Sequence, residues 1–134
     1  MMNKLLFLFV CLTVISCSGD DKSASDDTSI DPPAWIQGIW IQEEYLDINF
    51  EFGFEFKSDD FCQVVNGTKS CNKAQIDLFK QGSMKVNVYE EISNDRYLLE
   101  ITQHTYTVEY EFEKISSTRI KKIQLGGDIF YIKQ

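Results

Sequence analysis

Histidine, arginine and proline are scarce in this chain of 134 residues, which contains one His, two Arg and two Pro. With a single His, no group of His and Cys residues has the spacing of a metal site. The sequence also contains no glycine-rich phosphate loop and no Ser or Cys within a recognisable nucleophile motif. We therefore expect no enzymatic activity, no metal and no cofactor.

Positively charged residues are also few. The 13 Lys and Arg residues are outnumbered by 21 Asp and Glu residues, so the formal net charge is −8. The basic residues form no stripe along the sequence, and binding to nucleic acid depends on clustered Lys and Arg. Nucleic acid is therefore not expected as a partner, whereas a cationic protein is compatible with the charge.

An apolar run near the N-terminus predicts export. Leu5–Ile15 follows the short basic head MMNK, and its eleven residues are too few to span a bilayer but suit a secretory signal. The run leads into VISC at positions 14–17, which resembles the lipobox of bacterial lipoproteins. The resemblance implies that residues 1–16 are a signal peptide and that a lipid on Cys17 attaches the mature chain to a membrane.

Residues 17–34 are dominated by Ser, Asp, Gly and Pro. Such a segment buries too little apolar surface to offset the entropy of ordering, so we predict a flexible acidic tether. Its start, CSGDDK, resembles the acidic export signal of surface-exposed lipoproteins in Bacteroidetes-type bacteria. This resemblance implies a protein anchored by lipid to the outer membrane at the cell surface, with the periplasmic face as the alternative.

The clearest strand signal is Ile48–Lys57, INFEFGFEFK. Every second residue is Phe, and alternate side chains of a β-strand point to opposite faces. The four rings therefore share one face, which needs a concave apolar partner surface such as a closed barrel or a sandwich provides. These rings belong to Phe50, Phe52, Phe54 and Phe56.

The dipeptide Asn66-Gly67 predicts a two-residue hairpin turn, because both positions of a type I′ turn need positive φ. Folding the chain about this turn places Cys62 directly opposite Cys71, at a non-hydrogen-bonded pair where Cα atoms are closest. The other two cysteines belong to the signal peptide and the lipid site. In an exported chain we therefore predict a Cys62–Cys71 disulfide.

Short alternating segments separated by turn residues continue to the C-terminus, and no helix is expected in the mature chain. Eight or nine such strands close most simply as a small antiparallel up-and-down β-barrel, so we predict an all-β fold with a β-sandwich as the alternative. The other predicted strands are Gly38–Tyr45, Phe61–Val65, Ala74–Phe79, Met84–Glu90, Arg96–Gln103, Thr105–Lys114, Arg119–Leu125 and Asp128–Lys133.

The tripeptide Gly38-Ile39-Trp40, at the start of the first strand of an antiparallel meander, is similar to the lipocalin and lipocalin-like families. The resemblance covers most of residues 35–134, which we take as the folded domain. It implies that Trp40 plugs one end of the barrel and that an Arg from a late strand, here Arg119, packs over its indole. The domain is shorter than typical lipocalins, and no C-terminal helix is predicted, so we expect no roomy cavity.

Two functions fit these features. The first is a lipocalin-like binding domain that takes a small hydrophobic molecule at the barrel mouth. The alternative is a protein-interaction module, such as an immunity or hydrolase-inhibitor lipoprotein, whose acidic outer strands engage a basic protein. The candidate ligand-facing residues share the inward face of two strands. They are Phe50, Phe52, Phe54, Phe56, His104, Tyr106 and Tyr110.

Replacement of Cys17 by Ala is expected to abolish membrane attachment, because the lipid on this residue is the predicted anchor. Cell fractionation and mass measurement should find Cys17→Ala either soluble or with an uncleaved signal peptide. Cys11→Ala, within the signal peptide, is the control and should leave attachment intact. A cleaved Cys17→Ala protein that stays fully in washed membranes would contradict the lipoprotein prediction.

Overall fold

The computed structural model describes residues 28–134, which form nine strands and two helices. A short 3-10 helix, Glu43–Ile48, links the first strand to the second, and α1 (Asn72–Gln81) links the fourth strand to the fifth. The signal peptide, Cys17 and the tether up to residue 27 lie outside the described residues. The strands are β1 (Gly38–Gln42), β2 (Phe52–Phe56), β3 (Phe61–Val65), β4 (Thr68–Cys71), β5 (Val86–Ile92), β6 (Arg96–Gln103), β7 (Tyr106–Lys114), β8 (Arg119–Ile123) and β9 (Ile129–Lys133).

All nine strands form one antiparallel sheet in the order β4-β3-β2-β1-β9-β8-β7-β6-β5. Neighbours in the sheet are neighbours in sequence except β1 and β9, which join the two ends of the domain. The sheet curls into a half-barrel, and its outer strands β4 and β5 form no ladder with each other. The predicted all-β class, up-and-down strand order and strand number are confirmed, and the barrel keeps a seam between β4 and β5.

Helix α1 contacts β3 and β5 and so lies at this seam. The prediction of a strand over Ala74–Phe79, and of no helix in the mature chain, is wrong. Ile76 is buried and Phe79 half-buried, a spacing of three that suits one helix face, whereas Leu78 is exposed. A carboxylate oxygen of Asp60 accepts a backbone N–H of the first helical turn at 3.0 Å, which satisfies one of the free amides there.

The first two strands are shorter than predicted. β1 ends at Gln42, and β2 begins at Phe52 because Asn49 takes a left-handed conformation with φ of 54° that interrupts the extended chain. Phe50 therefore precedes the strand, and its ring lies edge-on to Tyr45 with centroids 5.3 Å apart. The alternation of the Phe residues is confirmed for β2 itself, whose Phe54 and Phe56 both point into the barrel.

Phe54 lies at the centre of the barrel interior. Its ring centroid is 5.1 Å from that of Phe61, 5.5 Å from that of Phe112 and 5.3 Å from that of Tyr131, so rings from four strands meet around it. Phe56 stacks beside them on Phe61 at 4.9 Å. At this level the interior is filled by aromatic side chains.

Gly53 lies between Phe52 and Phe54 in sequence and permits an unusually close approach of β1 to β2. A Cβ at this position would lie 1.9 Å from the Trp40 carbonyl oxygen and 2.9 Å from the Ile41 Cα. Both obstacles are backbone atoms, which have little freedom to move. A residue with a side chain would therefore push the two strands apart.

The β3–β4 hairpin has the predicted register. Asn66 and Gly67 form the turn with φ of 46° and 77°, and Cys62 is the cross-strand partner of Cys71. The two sulfur atoms are bonded and the Cα atoms lie 3.9 Å apart. The predicted Cys62–Cys71 disulfide is confirmed.

Residues 28–36 pack against the barrel as a strap. Ile30 and Ile36 are buried in the core, and the indole N–H of Trp35 donates to the Ser93 carbonyl oxygen at 2.9 Å. Trp35 also packs against the core, so three apolar side chains attach the segment to the barrel. Packing is thus present already at Ile30, before the domain boundary predicted at residue 35.

The plug residue Trp40 is fully buried, and its indole N–H donates to the Ile36 carbonyl oxygen at 2.6 Å. The prediction that Arg119 covers this indole is wrong. Arg119 lies on the outer face of the sheet, with its guanidinium 4.2 Å from the centroid of the Phe130 ring. Because side chains alternate along β8, Ile120 points inward and Arg119 outward.

Lys133 takes the place that was predicted for Arg119. It is the cross-strand partner of Trp40, and its Nζ lies 5.2 Å from the centroid of the indole ring. Gly38 leaves room for it, since a Cβ there would lie 2.8 Å from the Lys133 Cε, and the glycine's φ of +125° is one that other residues rarely adopt. Gly38, Trp40 and Lys133 therefore form the plug as one packed unit.

Trp40→Ala is expected to lower the free energy of unfolding by about 3–5 kcal/mol, because it leaves a large cavity. Lys133→Ala should cost about 1 kcal/mol through the lost cation–π contact. The two losses should not add, since both remove the same contact. Urea unfolding of the single and double variants measures this, with Arg119→Ala as the control whose effect should add to that of Trp40→Ala. If the effects of Trp40→Ala and Lys133→Ala add, the prediction that the two side chains pack as one unit is wrong.

Candidate functional site

The two ends of the barrel differ in chemistry. At the end where β1 finishes and β2 begins, here called the mouth, each of the five connections or its flanking residue presents a large apolar side chain to solvent. Their exposed fractions range from 37% for Val65 to 102% for Leu125. These mouth-rim residues are Leu46, Ile48, Val65, Met84, Tyr106 and Leu125.

The turns at the opposite end are mainly polar. They have the sequences KSDD at 57–60, SND at 93–95 and ISST at 115–118. Among the described residues, Ile92 and Ile115 are the large apolar side chains exposed at that end. Because exposed apolar groups that cluster mark binding surfaces, the mouth is the candidate functional site.

The four predicted ligand-facing Phe residues divide into two pairs. Phe54 and Phe56 are 4% and 2% exposed and belong to the packed core, so the structure places them away from any open surface. Phe50 and Phe52 are half-buried at the mouth, where the ring of Tyr45 lies edge-on to both. The sequence pattern alone does not separate the pairs, because all four alternate identically.

The other three predicted residues lie at or below the mouth. His104 is exposed in the β6–β7 turn, with φ of 55°, and its backbone N–H donates to the Lys85 carbonyl oxygen at 3.1 Å. Tyr106 is 67% exposed on the rim. Tyr110 is half-buried beneath it, and burial raises the pKa of its hydroxyl, with a smaller contribution from Tyr106.

His104 also borders an open depression of about 700 Å³ between the α1–β5 connection and the β6–β7 turn. The depression opens broadly to solvent and is a surface feature of the mouth. Met84 contributes its apolar side chain. The lining residues are Gly82, Ser83, Met84, Lys85 and His104.

Lys122 is a mouth residue that the sequence analysis missed. Its side chain shares the inner face of β8 with Ile120, and its cross-strand neighbours are Phe112 and Ile129. The Nζ atom lies 5.6 Å from the centroid of the Tyr110 ring. A charged amine is therefore held among apolar side chains. The available sequence signal is strand parity, because Lys122 stands two residues after the core residue Ile120.

The amine of Lys122 donates to the Gln124 side-chain oxygen at 3.2 Å, and no carboxylate within residues 28–134 lies within salt-bridge distance. The preceding Lys121, on the outer face, lies 3.3 Å from Glu113 and 3.4 Å from Asp128. Burial lowers the pKa of Lys122, because desolvation penalises the charged amine.

A second feature is the acidic outer face of β5, β6 and β7. Glu100 and Glu109 are direct cross-strand partners, and within the described part of the chain neither carboxylate forms a salt bridge. Tyr89, the partner of Glu100 on β5, is 51% exposed. Like charges directly opposite each other destabilise a sheet, so a cation placed between these two carboxylates would be favourable.

The remaining chemistry of the described residues is sparse. The Asp60 carboxylate lies close to the sulfur atoms of Cys62 and Cys71, but their disulfide leaves no thiolate to bind a metal. No helix within residues 28–134 has the length and apolarity to cross a membrane. The absence of enzymatic activity, of a cofactor and of nucleic-acid binding stays a prediction.

Comparisons with protein-family models, with curated proteins and with solved structures found no match.

The pKa values of Lys122 and Lys121 are expected to differ from the ordinary lysine value in opposite directions. Burial lowers the pKa of Lys122, whereas hydrogen bonding to Glu113 raises the pKa of Lys121. As the pH rises, the Lys122 amine should lose its proton first. Nuclear magnetic resonance of the two side-chain amines as a function of pH measures both midpoints. Equal midpoints, or a Lys122 midpoint above that of Lys121, would contradict the assigned burial.

Proposed function

We propose that this chain is an outer-membrane lipoprotein whose barrel domain binds a small hydrophobic molecule at the mouth. The observation that carries the proposal is the mouth rim, where every connection or its flanking residue contributes exposed apolar surface. Covering such surface is favourable by about 25 cal/mol per Å². A hydrophobic ligand lying across the rim would supply that cover.

The ligand lies on the barrel and not within it. Below the rim, the rings packed around Phe54 leave the interior filled. The ligand therefore contacts the rim and the half-buried rings beneath it, Phe52 and Tyr110. A site this open favours transient capture, because deep enclosure of most of the ligand surface is what gives small-molecule pockets their tight binding.

The lipid on Cys17 anchors this domain to the outer membrane, at the cell surface, with the periplasmic face as the alternative. Residues 18–27 connect the lipid to the first described residue, Thr28, and ten residues reach at most about 35 Å. That reach keeps the domain close to the membrane, where hydrophobic molecules are concentrated.

A cationic protein is the second candidate partner, and the Glu100–Glu109 pair favours it. A Lys or Arg from the partner would enter between the two carboxylates and remove their repulsion. The exposed Tyr89 beside them supplies the kind of side chain that is enriched at protein interfaces. Such a contact would weaken as salt rises, since exposed charges are screened.

Binding at the mouth should depend on the rim and not on apolar exposure in general. The probe is the neutral dye Nile red, added to the chain from residue 17 onward with Cys17→Ser. Tyr106→Ser combined with Leu125→Ser should reduce dye affinity several-fold, because both exposed side chains are lost from the site. Ile92→Ser combined with Ile115→Ser, at the opposite end, is the matched control and should leave affinity unchanged. Equal loss in the control, or no loss in the rim variant, would overturn the proposal.

The acidic face is tested separately with a Lys- and Arg-rich peptide of about ten residues as the probe. Glu100→Gln combined with Glu109→Gln should reduce its affinity about tenfold at low salt, because close charge pairs make a large contribution. Glu44→Gln combined with Glu51→Gln, both exposed at the mouth, removes the same two negative charges without touching the face and should have a small effect. Equal effects of the face and mouth substitutions would show that only the overall charge matters.

A further inference from the structure

We infer that the molecule bound at the mouth carries a single negatively charged head group, which pairs with the amine of Lys122. This inference rests on the proposed binding at the mouth and names the chemical class of the ligand, an anionic amphiphile such as a long-chain carboxylate. The apolar tail would lie across the mouth rim.

The position of Lys122 follows from the register of β8. Ile120 is fully buried, and alternation places Lys122 on the same inner face two residues nearer the mouth. Its neighbours across the ladders are Phe112, also fully buried, and the half-buried Ile129. The amine therefore extends over the top of the core, beside the Tyr110 ring, where a ligand on the rim would contact it.

The missing counter-charge is the second observation. Within residues 28–134, the adjacent Lys121 has two carboxylates within 3.4 Å. In the same part of the chain Lys122 has none, and its contacts are the Gln124 amide oxygen and the Tyr110 ring. Partly burying a charge without a partner is costly, so a ligand that brings the partner is favoured.

The charge around the mouth limits the head group. Glu44, Glu51 and Asp128 are exposed at the same end and outnumber the exposed Lys85 in the depression, so the net charge around the rim repels anions. A head group with two charges would feel this repulsion twice while gaining a single lysine. A compact amine acts as a point charge, so it binds a carboxylate or a sulfate equally well.

The experiment compares three ten-carbon probes that differ in the head group: decanoate, decyl sulfate and decan-1-ol. Each is titrated into the chain from residue 17 onward with Cys17→Ser, below its aggregation limit, by displacement of Nile red. Both anions should bind roughly tenfold more tightly than the alcohol, because hydrogen bonds between charged groups are about twice as strong as neutral ones. Lys122→Met should erase this preference and keep the affinity for decan-1-ol, while Lys122→Arg should retain it.

Lys121→Met is the matched control, because it removes one positive charge from the adjacent position on the outer face. It should leave the preference for anions intact. Equal affinity for all three probes in the chain that retains Lys122, or a preference for anions that survives Lys122→Met, would overturn the inference. Either result would leave binding at the mouth in place. Displacement by none of the probes would overturn both. If Lys122→Met fails to fold, the ratio of anion to alcohol affinity with Lys122 in place, together with Lys122→Arg, decides.

Discussion

The packing around Phe54 is the constraint on which the rest of the domain depends. Its ring meets side chains from the neighbouring β3 and from β7 and β9, which are distant in sequence, so the sheet must curl for its interior to be filled. Aromatic rings in edge-to-face and tilted contact fill space tightly and add to the free energy of area burial. Because the centre is occupied, any binding must take place on the outside of the barrel or at its ends.

The two ends of the barrel therefore differ in how far packing covers them. At the end opposite the mouth, the strap crosses the barrel, the Trp35 indole binds the β5–β6 turn, and Trp40 is sealed beneath Lys133. The mouth has no comparable cover among residues 28–134, and its loops expose apolar side chains. One end therefore supplies stability and the other supplies surface. This division also explains why the apolar rim is tolerated, since acidic side chains at the same end keep it hydrated.

The sequence predicted those parts of the fold that depend on local rules. The β3–β4 register and the Cys62–Cys71 bond follow from one turn dipeptide, and the direction of Phe54 and Phe56 follows from alternation. Features set by packing were missed. The segment that became α1 is short enough for strand and helix patterns to overlap, and its place at the seam selected the helix.

The candidate site was predictable to a smaller extent for the same reason. Whether Arg119 or Lys133 covers Trp40 depends on the register of β8, β9 and β1, which no local signal specifies. The mouth rim is a property of topology, because residues as distant as Leu46 and Leu125 share an end only after the sheet has formed.

The disulfide has a consequence for solubility. β4 is an outer strand of the sheet, four residues long, and a chain edge of this kind can peel away and leave its neighbour free to pair with another molecule. The covalent bond between Cys62 and Cys71 ties the end of β4 to β3, so the hydrogen-bonding edge of β3 stays occupied even when the short ladder frays. The disulfide therefore protects the sheet edge against strand exchange and aggregation.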